Sequence, residues 1–413
     1  TEEFKMANTI LTPTMVTRKA LEILHANLNF IGSINRQYDD SYAKSGAKIG
    51  STLKVRLPNQ FEIRTGATLQ VKDVEESSVD LVMGTQKGVD VNFSSVELTL
   101  SLDDFSERIL EPAMAVLAAN IEADAINMYK DVWNMVNTAG TAQPASLADW
   151  LAARKLLNEC LAPKDGNRYF CINSLAMAAI VDALKGLFNP QSAIADQFRD
   201  GVMGRAIGFT WLENDLIVRH LTGSRDNTTP LADGASAAAQ DGDTIHCDGF
   251  DQNATIKKGD VITFSGVYAV HPETKQSYGY LQQFVVTEDA TALGTSGDVD
   301  LKISPPVIST GAKQNVSATV ADGATVTVIG TASSYYAQNL GYHRDAFAFV
   351  TADLEMPKGV DFASRQVFDG ISMRIVRQYD INYDKFPCRI DVLYGYKAVR
   401  PQLAVRIQGK INE

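Results

Sequence analysis

A block without helical periodicity in the middle of the chain constrains the fold most. From Thr222 to Leu340 the sequence is rich in Gly, Thr, Ser, Val and Asp. Its strand-like stretches are separated by glycine-bearing turns and span residues 260–267, 280–287, 299–303 and 325–329. The segments on either side mix helical and strand patterns. We therefore predict an α+β host fold that carries an independent antiparallel, barrel-like β domain as an insertion over residues 222–336.

Charge is distributed unevenly along the chain, whose net charge is −11. Residues 222–340 contain six basic and thirteen acidic residues, whereas residues 1–66 contain nine basic and six acidic ones. A sequence-specific nucleic-acid reader is disfavoured, because tight phosphate binding needs clustered Lys and Arg. The four cysteines are widely spaced, and the most apolar windows are shorter than the ~18 residues of a membrane-spanning helix. We expect a soluble protein in a reducing, cytosolic setting.

Residues 48–101 have the two-residue period of long strands. The apolar positions alternate at Leu53, Val55 and Leu57 and again at Val79, Leu81 and Met83. A turn is predicted near Gly66. Because a two-stranded ribbon is only marginally stable alone in water, this segment is expected to need another surface to lie on.

Two helical patterns flank the ribbon. Val16, Ala20, Leu24 and Leu28 predict a short amphipathic helix within residues 14–31. A longer helix of roughly 25 residues is predicted after Pro112, with a core face formed by Val116, Ile121, Ala125, Met128 and Trp133.

The longer helix is also acidic. Its region contains Asp103, Asp104, Glu107, Glu111, Glu122, Asp124 and Asp131 against only Arg108 and Lys130. These acids form either a solvated face or a docking strip for a basic partner. Further helices are predicted over residues 146–162 and 173–188.

A glycine-marked segment, "RDGVMGRAIGFTWLENDL" over residues 199–216, resembles a phosphate loop at first sight. A phosphate loop requires GxxxxGK[ST] and a dinucleotide site requires GxGxxG before a helix. Gly201, Gly204 and Gly208 fit neither spacing, and strand-like residues follow them. We predict that these glycines serve turns and close packing.

No motif in the sequence calls for catalysis, a cofactor or a metal ion. The five histidines lack HxxxH or HxH spacing, and there is no GxSxG nucleophile motif. His246, Cys247 and Asp248 could in principle share a metal ion, but a small buried cysteine is the more common role. We predict no enzymatic activity.

Five segments, in this order, resemble the major coat proteins of tailed bacteriophages, and more narrowly the short-tailed Salmonella-phage type with the Hong Kong-type capsid fold. They read "VDLVMGTQKGVDVNFSSVELTLSLDDFSERILEPAMAVLAANIEADAINMY", "GVMGRAIGFTWLENDL", "IKKGDVITFSGVYAV", "NLGYHRDAFAFVTADLEMP" and "VLYGYKAVRPQLAVRI". The resemblance is spread over nearly the whole chain.

This resemblance implies a structural protein with a set order of parts. They are an N-terminal arm (1–47), an extended E-loop (48–101), the spine helix of the peripheral domain (102–140), the first part of a central A domain (141–221), the inserted β domain (222–336) and return strands (337–413).

The implied function is self-assembly into hexamers and pentamers of an icosahedral head. The implied partners are further copies of the chain, a scaffolding protein, a portal and encapsidated double-stranded DNA, which the wall contacts weakly. The precursor shell would assemble in the bacterial cytoplasm and mature as DNA is packaged, giving a virion capsid.

Candidate contact residues follow from charge and from the resemblance. We expect basic ribbon residues to reach acids of a neighbouring subunit's spine helix, with candidates Lys54, Arg56, Arg64, Glu107, Arg108 and Glu111. The stretch 240–253 lies where the family has an intercapsomer loop, and its candidates are Asp241, Asp243, Asp248 and Asp251.

Two other functions fit parts of the pattern. One is a bacterial nanocompartment (encapsulin-like) shell with the same fold, which encloses an enzyme instead of DNA. The other is an enzyme with an appended β module, for example a carbohydrate-active enzyme, whose cleft would need a suitably spaced pair of carboxylates.

Overall fold

The computed structural model describes residues 13–26, 28–39, 51–61, 63–64, 66–67, 69, 71, 76–93, 110–136, 143–184, 204–225, 229–233, 239–368, 370–382 and 385–411. The helices of these residues are α1 (Pro13–Ala26), α2 (Phe30–Ser33), α3 (Glu111–Ile126), α4 (Leu147–Glu159) and α5 (Ser174–Leu184). Short 3-10 helices span Asn127–Asp131, Arg344–Ala346 and Pro401–Leu403. None of the described helices is long and apolar enough to cross a membrane.

Strands make up most of the remaining described structure. The first group is β1 (Asn35–Asp39), β2 (Ser51–Arg56), β3 (Ser78–Met83), β4 (Thr85–Phe93), β5 (Met135–Val136), β6 (Arg168–Ile172), β7 (Arg205–Ala206), β8 (Phe209–Glu213) and β9 (Arg219–Leu221). The next group is β10 (Leu231–Ala232), β11 (Gly242–Asp248), β12 (Thr255–Ile256), β13 (Val261–Val270), β14 (Ser277–Val286), β15 (Ala290–Thr291), β16 (Val299–Val307) and β17 (Val326–Val328). The chain closes with β18 (Tyr335–His343), β19 (Phe347–Ala352), β20 (Phe362–Phe368), β21 (Ile371–Arg377), β22 (Phe386–Ala398) and β23 (Ala404–Lys410).

The chain divides into two compact units. The first comprises residues 1–55, 79–125 and 348–397, and the second comprises residues 56–78, 126–347 and 398–413. Both units combine distant parts of the sequence, so neither could be recognised from a single contiguous segment. The predicted α+β class is confirmed.

The first unit is built on a six-stranded sheet. Its strand order is β1-β19-β22-β21-β20, and β4 also pairs with β22. Strand β1 runs parallel to β19, from Asn35 opposite Ala348 to Asp39 opposite Ala352. Helix α1 packs against β20 and β21.

Within the predicted N-terminal arm (1–47), the described residues 13–26 pack on the sheet of the first unit and residues 35–39 join it. The apolar face predicted for α1 is correct, because Val16, Ala20, Leu24 and Leu28 are all buried. That face is covered by the sheet of the same chain, and β1 adds a strand to this sheet. An amphipathic helix buries its apolar stripe, and α1 does so within the first unit.

The predicted long helix is confirmed as α3, but one residue of its predicted core face is exposed. Ile121, Ala125 and Met128 are buried as predicted, whereas Val116 is 59% exposed. Val116 follows the buried Met114 by two residues, which turns it by about 200° around the helix axis. The α-helix covers 16 residues and continues as the 3-10 helix. The predicted cap at residues 101–104 lies outside the described residues.

The second unit contains a mixed sheet and a separate antiparallel one. The mixed sheet has the order β5-β23-β18-β6-β8-β7, with β9 also paired to β18, and is called the central sheet below. Helix α4 begins after Ser146, whose side-chain oxygen accepts a hydrogen bond from the Asp149 backbone N at 3.3 Å. Its Trp150 packs on Phe170 and Trp211 of the central sheet, with ring centroids 5.1 and 4.9 Å away.

The antiparallel sheet, here called the β module, spans residues 231–328. Its order is β10-β11-β16-β14-β13-β17, and β12 pairs with β15 beside it. The four predicted strand stretches coincide with β13, β14, β16 and β17. The module has its own apolar core, which includes Phe264, Phe284, Val286 and Leu301.

Candidate subunit-contact surfaces

The ribbon carries an exposed apolar tip. Strand β2 pairs with β3, and beyond these strands the Leu57 backbone N donates to the Ser77 oxygen at 2.8 Å. Between these two residues, Phe61, Ile63, Leu69 and Val71 are exposed by 70%, 84%, 76% and 81%. Soluble monomers seldom expose large apolar side chains in one group, and such groups mark interaction surfaces. The ribbon tip is therefore the first candidate contact surface.

Two of the three basic candidates on the ribbon have partners within it. Arg56 Nη1 lies 3.7 Å from Glu76 Oε2, and both side chains are largely exposed. The Arg64 guanidinium donates to the Gly66 backbone oxygen. Lys54 is exposed on β2. Exposed ion pairs contribute about 0–1 kcal/mol, so the Arg56 pair can be exchanged for a partner on another subunit at little cost.

The acids of the spine helix have two different roles. Glu111 is exposed at the first residue of α3, whereas Glu107 and Arg108 lie outside the described residues. Glu122 is buried, and its carboxylate accepts hydrogen bonds from the backbone N of Asn29 at 2.9 Å and of Phe30 at 2.6 Å. For Glu122, both interpretations of the acidic helix are wrong, because its side chain belongs neither to a solvated face nor to a docking strip. The neighbouring Ile121 and Ala125 on the core face were the sequence signal for this burial.

Asp124 is likewise committed to its own chain. Its Oδ2 lies 2.7 Å from Lys87 Nζ on β4 and accepts a hydrogen bond of 2.6 Å from the Tyr394 hydroxyl on β22. Burial, followed by this bond to the carboxylate, raises the pKa of Tyr394. The carboxylate thus joins α3 to two strands, which leaves Glu111 as the described outward candidate among the proposed contact acids.

The predicted intercapsomer loop is mostly a strand. Residues 242–248 form β11, which pairs with β10 and β16, so a loop is wrong for this part of the stretch. Ile245 and Cys247 point into the module core and are fully buried. Two apolar residues among polar ones gave too weak an alternation to identify the strand. Of the four candidate acids, Asp241 and Asp243 are exposed, whereas Asp248 and Asp251 are half-buried.

The strand also separates the residues that could have shared a metal ion. His246 Nδ1 lies 2.7 Å from Asp300 Oδ1 on the outer face of the module, and Cys247 lies inside. Successive residues of a strand face opposite sides, so His246 and Cys247 cannot bind one ion. Hydrogen bonding to Asp300 raises the pKa of His246, and burial raises the pKa of Cys247 to about 12. Over the described ranges, no three His, Cys, Asp or Glu residues are grouped to hold a metal.

The glycine-marked segment folds as a tight hairpin. Arg205 pairs with Thr210 and Ala206 with Phe209, which leaves Ile207 and Gly208 as a two-residue turn. Both turn residues have positive φ, 58° and 82°, as a type I′ turn requires. The Phe209 ring then stacks on the Phe170 ring, with their centroids 4.0 Å apart. The predicted turn role is confirmed for Gly208, and Gly201 lies outside the described residues.

A buried hydrogen-bond network holds the β module on the central sheet. His220 of β9 lies between the Tyr129 hydroxyl, 3.0 Å from its Nδ1, and Asp260 Oδ1, 2.9 Å from its Nε2. The other carboxylate oxygen of Asp260 accepts from the backbone N of Lys257 at 2.9 Å and of Gly223 at 3.2 Å. Burial raises the pKa of Tyr129 to about 12. The sequence offered no spacing that would have grouped these residues.

Two further contacts fix the module. Gln283 of β14 accepts from the Met135 backbone N at 2.7 Å and donates to its oxygen at 3.0 Å. Tyr278 donates to the Glu159 backbone oxygen at 3.0 Å, and Tyr280 donates to the Glu159 carboxylate at 2.9 Å. These hydrogen bonds fix the orientation of the β module relative to the central sheet.

Comparison with known proteins gives one match that identifies a family. No curated protein matches the chain. Among solved structures, the chain is similar to that of Mycobacterium phage Che8 (13% identity, TM-score 0.45, covering 92% of this chain and 90% of that chain). It is also similar to the capsid of Ralstonia phage GP4 (8% identity, TM-score 0.43, 94% and 92%) and to a virus-like particle from Pyrococcus furiosus (10% identity, TM-score 0.36, 95% and 97%).

The family match covers nearly the whole chain. A family model described as P22 coat protein, gene protein 5, matches residues 7–409. This agrees with the resemblance found in the sequence and with a described structure that presents an apolar ribbon tip. The chain belongs to the P22 coat protein family, and it is a major capsid protein of the tailed-phage type, a structural subunit of the virion shell.

Proposed function

We propose that this chain builds an icosahedral phage head by seating the ribbon tip of each subunit on a neighbouring subunit. The observation that carries the proposal is the group of four large apolar side chains at the tip, each at least 70% exposed: Phe61, Ile63, Leu69 and Val71. Burial of one such side chain contributes about 1.5–3 kcal/mol, so the tip can stabilise a contact strongly.

The exposed residues in the N-terminal part of the spine helix complement this apolar contact. Glu111 and Val116 both face outward from α3, one acidic and one apolar. We place a neighbour's Lys54, Arg56 or Arg64 opposite Glu111, and we keep Glu107 and Arg108, which precede it in the sequence, as further contact candidates. Each exposed pair contributes less than about 1 kcal/mol, and a shell of many copies sums them.

The remaining parts of the proposal concern domains and partners. We assign residues 48–101 to an E-loop, 102–140 to the peripheral spine, 141–221 to the central domain and 222–336 to an inserted domain. The acids Asp241, Asp243, Asp248 and Asp251 lie on or beside β11 and are proposed to face another capsomer. The chain works without catalytic activity, assembles in the bacterial cytoplasm with a scaffolding protein and a portal, and matures as DNA enters.

Weak contact with the packaged DNA follows from charge. The net charge of −11 repels the DNA phosphates, so the shell wall binds DNA only weakly while the DNA moves past it. Shells assembled from the purified chain should therefore retain no duplex DNA at physiological salt. Tight retention would contradict this part of the proposal.

The assembly proposal is tested by removing the apolar tip. The double variant Phe61→Ser with Ile63→Ser should keep the circular dichroism spectrum of the parent, because both side chains are exposed in the subunit. It should fail to form particles in negative-stain micrographs. The matched control is Leu293→Ser in the β module, which is 68% exposed and should still assemble. Normal shells from the double variant would overturn the proposed role of the tip.

A further inference from the structure

One face of the central sheet meets the β module through buried polar side chains. Gln338 of β18 lies opposite Gln408 of β23, and Leu340 lies opposite Arg406. Residues two apart on a strand share a face, so Gln338 and Arg406 are diagonal neighbours on the same face. Arg406 Nη1 donates to the Gly259 backbone oxygen at 2.8 Å, which shows that this face is turned toward the module.

The two side chains are fully buried and their hydrogen bonding is incomplete. Over the described part of the chain, Arg406 Nε and Nη2 have no protein acceptor, and the same holds for Gln338 Nε2. Gln338 Oε1 has no protein donor. Burial lowers the pKa of Arg406 to about 10, so its guanidinium is charged at neutral pH. Buried polar groups in native proteins nearly always find a partner, and a charged group without one is especially costly.

The chemistry of these four atoms selects the ligand. The N–H bonds of Nε and Nη2 lie along one edge of the guanidinium and point in the same direction. Both can therefore donate to one acceptor, an oxygen atom or an anion. Gln338 Oε1 requires a donor, which an anion cannot supply. A water molecule both accepts and donates, and buried waters typically make about three hydrogen bonds to groups of this kind.

We propose that an ordered water molecule binds between Arg406 and Gln338, where it accepts from the guanidinium and donates to Gln338 Oε1. This water is a structural ligand of the contact between the central sheet and the β module. It supplies a partner to Arg406 Nε, Arg406 Nη2 and Gln338 Oε1 in a layer in which His220 and Asp260 are already paired. The buried charge of Arg406, which also lies over the Tyr129 ring at 5.7 Å, is thereby solvated in place.

The direct test is a density map of the assembled shell at a resolution that shows ordered waters. Particles are prepared once in chloride buffer and once in gluconate buffer, whose anion is too large for the site. The proposal predicts a peak within hydrogen-bond distance of Arg406 Nε and Gln338 Oε1 in both maps. A direct Arg406–Gln338 hydrogen bond with no peak between them would overturn it, and so would a peak present only in chloride.

A double-mutant cycle gives an independent test in the full-length subunit. Gln338→Met and Arg406→Met each lower the urea midpoint, and because they share one water the double variant should lose less than the sum of the two shifts. Asn339→Leu provides the control, since its side chain lies on the opposite face of β18 and its Oδ1 accepts from the Asn173 backbone N. Its shift should add to that of Arg406→Met. Strict additivity in the Gln338 cycle would count against the shared water, and the density map decides the matter if a variant does not fold.

Discussion

At the scale of single residues, several charged side chains that look like surface residues in the sequence are structural. Glu122 caps α2, Asp124 joins α3 to two strands, and Asp260 anchors His220. Burial of Glu122 was detectable, because it lies between apolar residues of the core face. Asp260 was not detectable, since its partner His220 lies on β9, 40 residues earlier in the chain, and His220 in turn bonds to Tyr129, a further 91 residues away. Residue type predicts the chemistry that is available, and only tertiary contacts decide which groups use it.

A charge exchange tests the proposed pairs between subunits. Arg64→Glu should impair assembly, because it places like charges opposite the acids of a neighbouring α3, and so should Glu111→Arg. The two changes combined should restore particles, which light scattering can follow. Arg18→Glu is the control, because Arg18 is similarly exposed and pairs within α1 with Glu22 at 3.3 Å. Failure of the double variant to recover would remove this pair from the account.

The His246–Asp300 pair predicts a local pH dependence. Because the pair raises the pKa of His246 in the folded chain, its contribution to stability is full below the unfolded pKa, about 6.5, and is lost as the pH rises through the raised folded value. An NMR titration should find this raised pKa, and Asp300→Asn should lower it. Asp243→Asn serves as the control on the neighbouring part of β11. An unchanged His246 titration in Asp300→Asn would contradict the hydrogen bond as its cause.

At the scale of elements, alternation predicted strands well where apolar residues were dense. The strand stretches that became β13, β14, β16 and β17 were recognised for this reason, and the helices over 146–162 and 173–188 became α4 and α5. Strand β11 was missed because only Ile245 and Cys247 mark its inner face. Helix α1 was recognised, but its packing on β20 and β21 was not, since those strands lie more than 300 residues further along the chain.

The hairpin between β7 and β8 allows a test of the turn. Gly208→Ala should lower the free energy of unfolding by about 1 kcal/mol, because an added Cβ is strained at φ 82°. Ile207→Gly should relieve similar strain at φ 58° and leave the free energy equal or higher. Gly32→Ala is the control, since Gly32 lies in α2, lacks a positive φ and has no atom within 4 Å of an added Cβ. Urea denaturation measures all three, and a Gly208→Ala variant as stable as the parent would exclude this turn.

At the scale of the whole molecule, a member of the P22 coat protein family exposes an apolar surface that its own subunit does not cover. The family was recognisable from five ordered segments, and the family model covers residues 7–409. The division into two units was not recognisable, because each unit takes residues from three separate segments. The proposed contact surfaces followed only partly from sequence, since charge suggested the ribbon, whereas the described part of its tip exposes four large apolar side chains.

The central claim is that the ribbon tip is covered by another subunit in the shell. Hydroxyl-radical footprinting, read by mass spectrometry, measures the solvent exposure of Phe61, Ile63 and Leu69 in free subunits and in assembled particles. The account predicts rapid oxidation of these side chains in the free subunit, where they are at least 70% exposed, and strong protection in the shell. Equal oxidation of the tip in both states would contradict it.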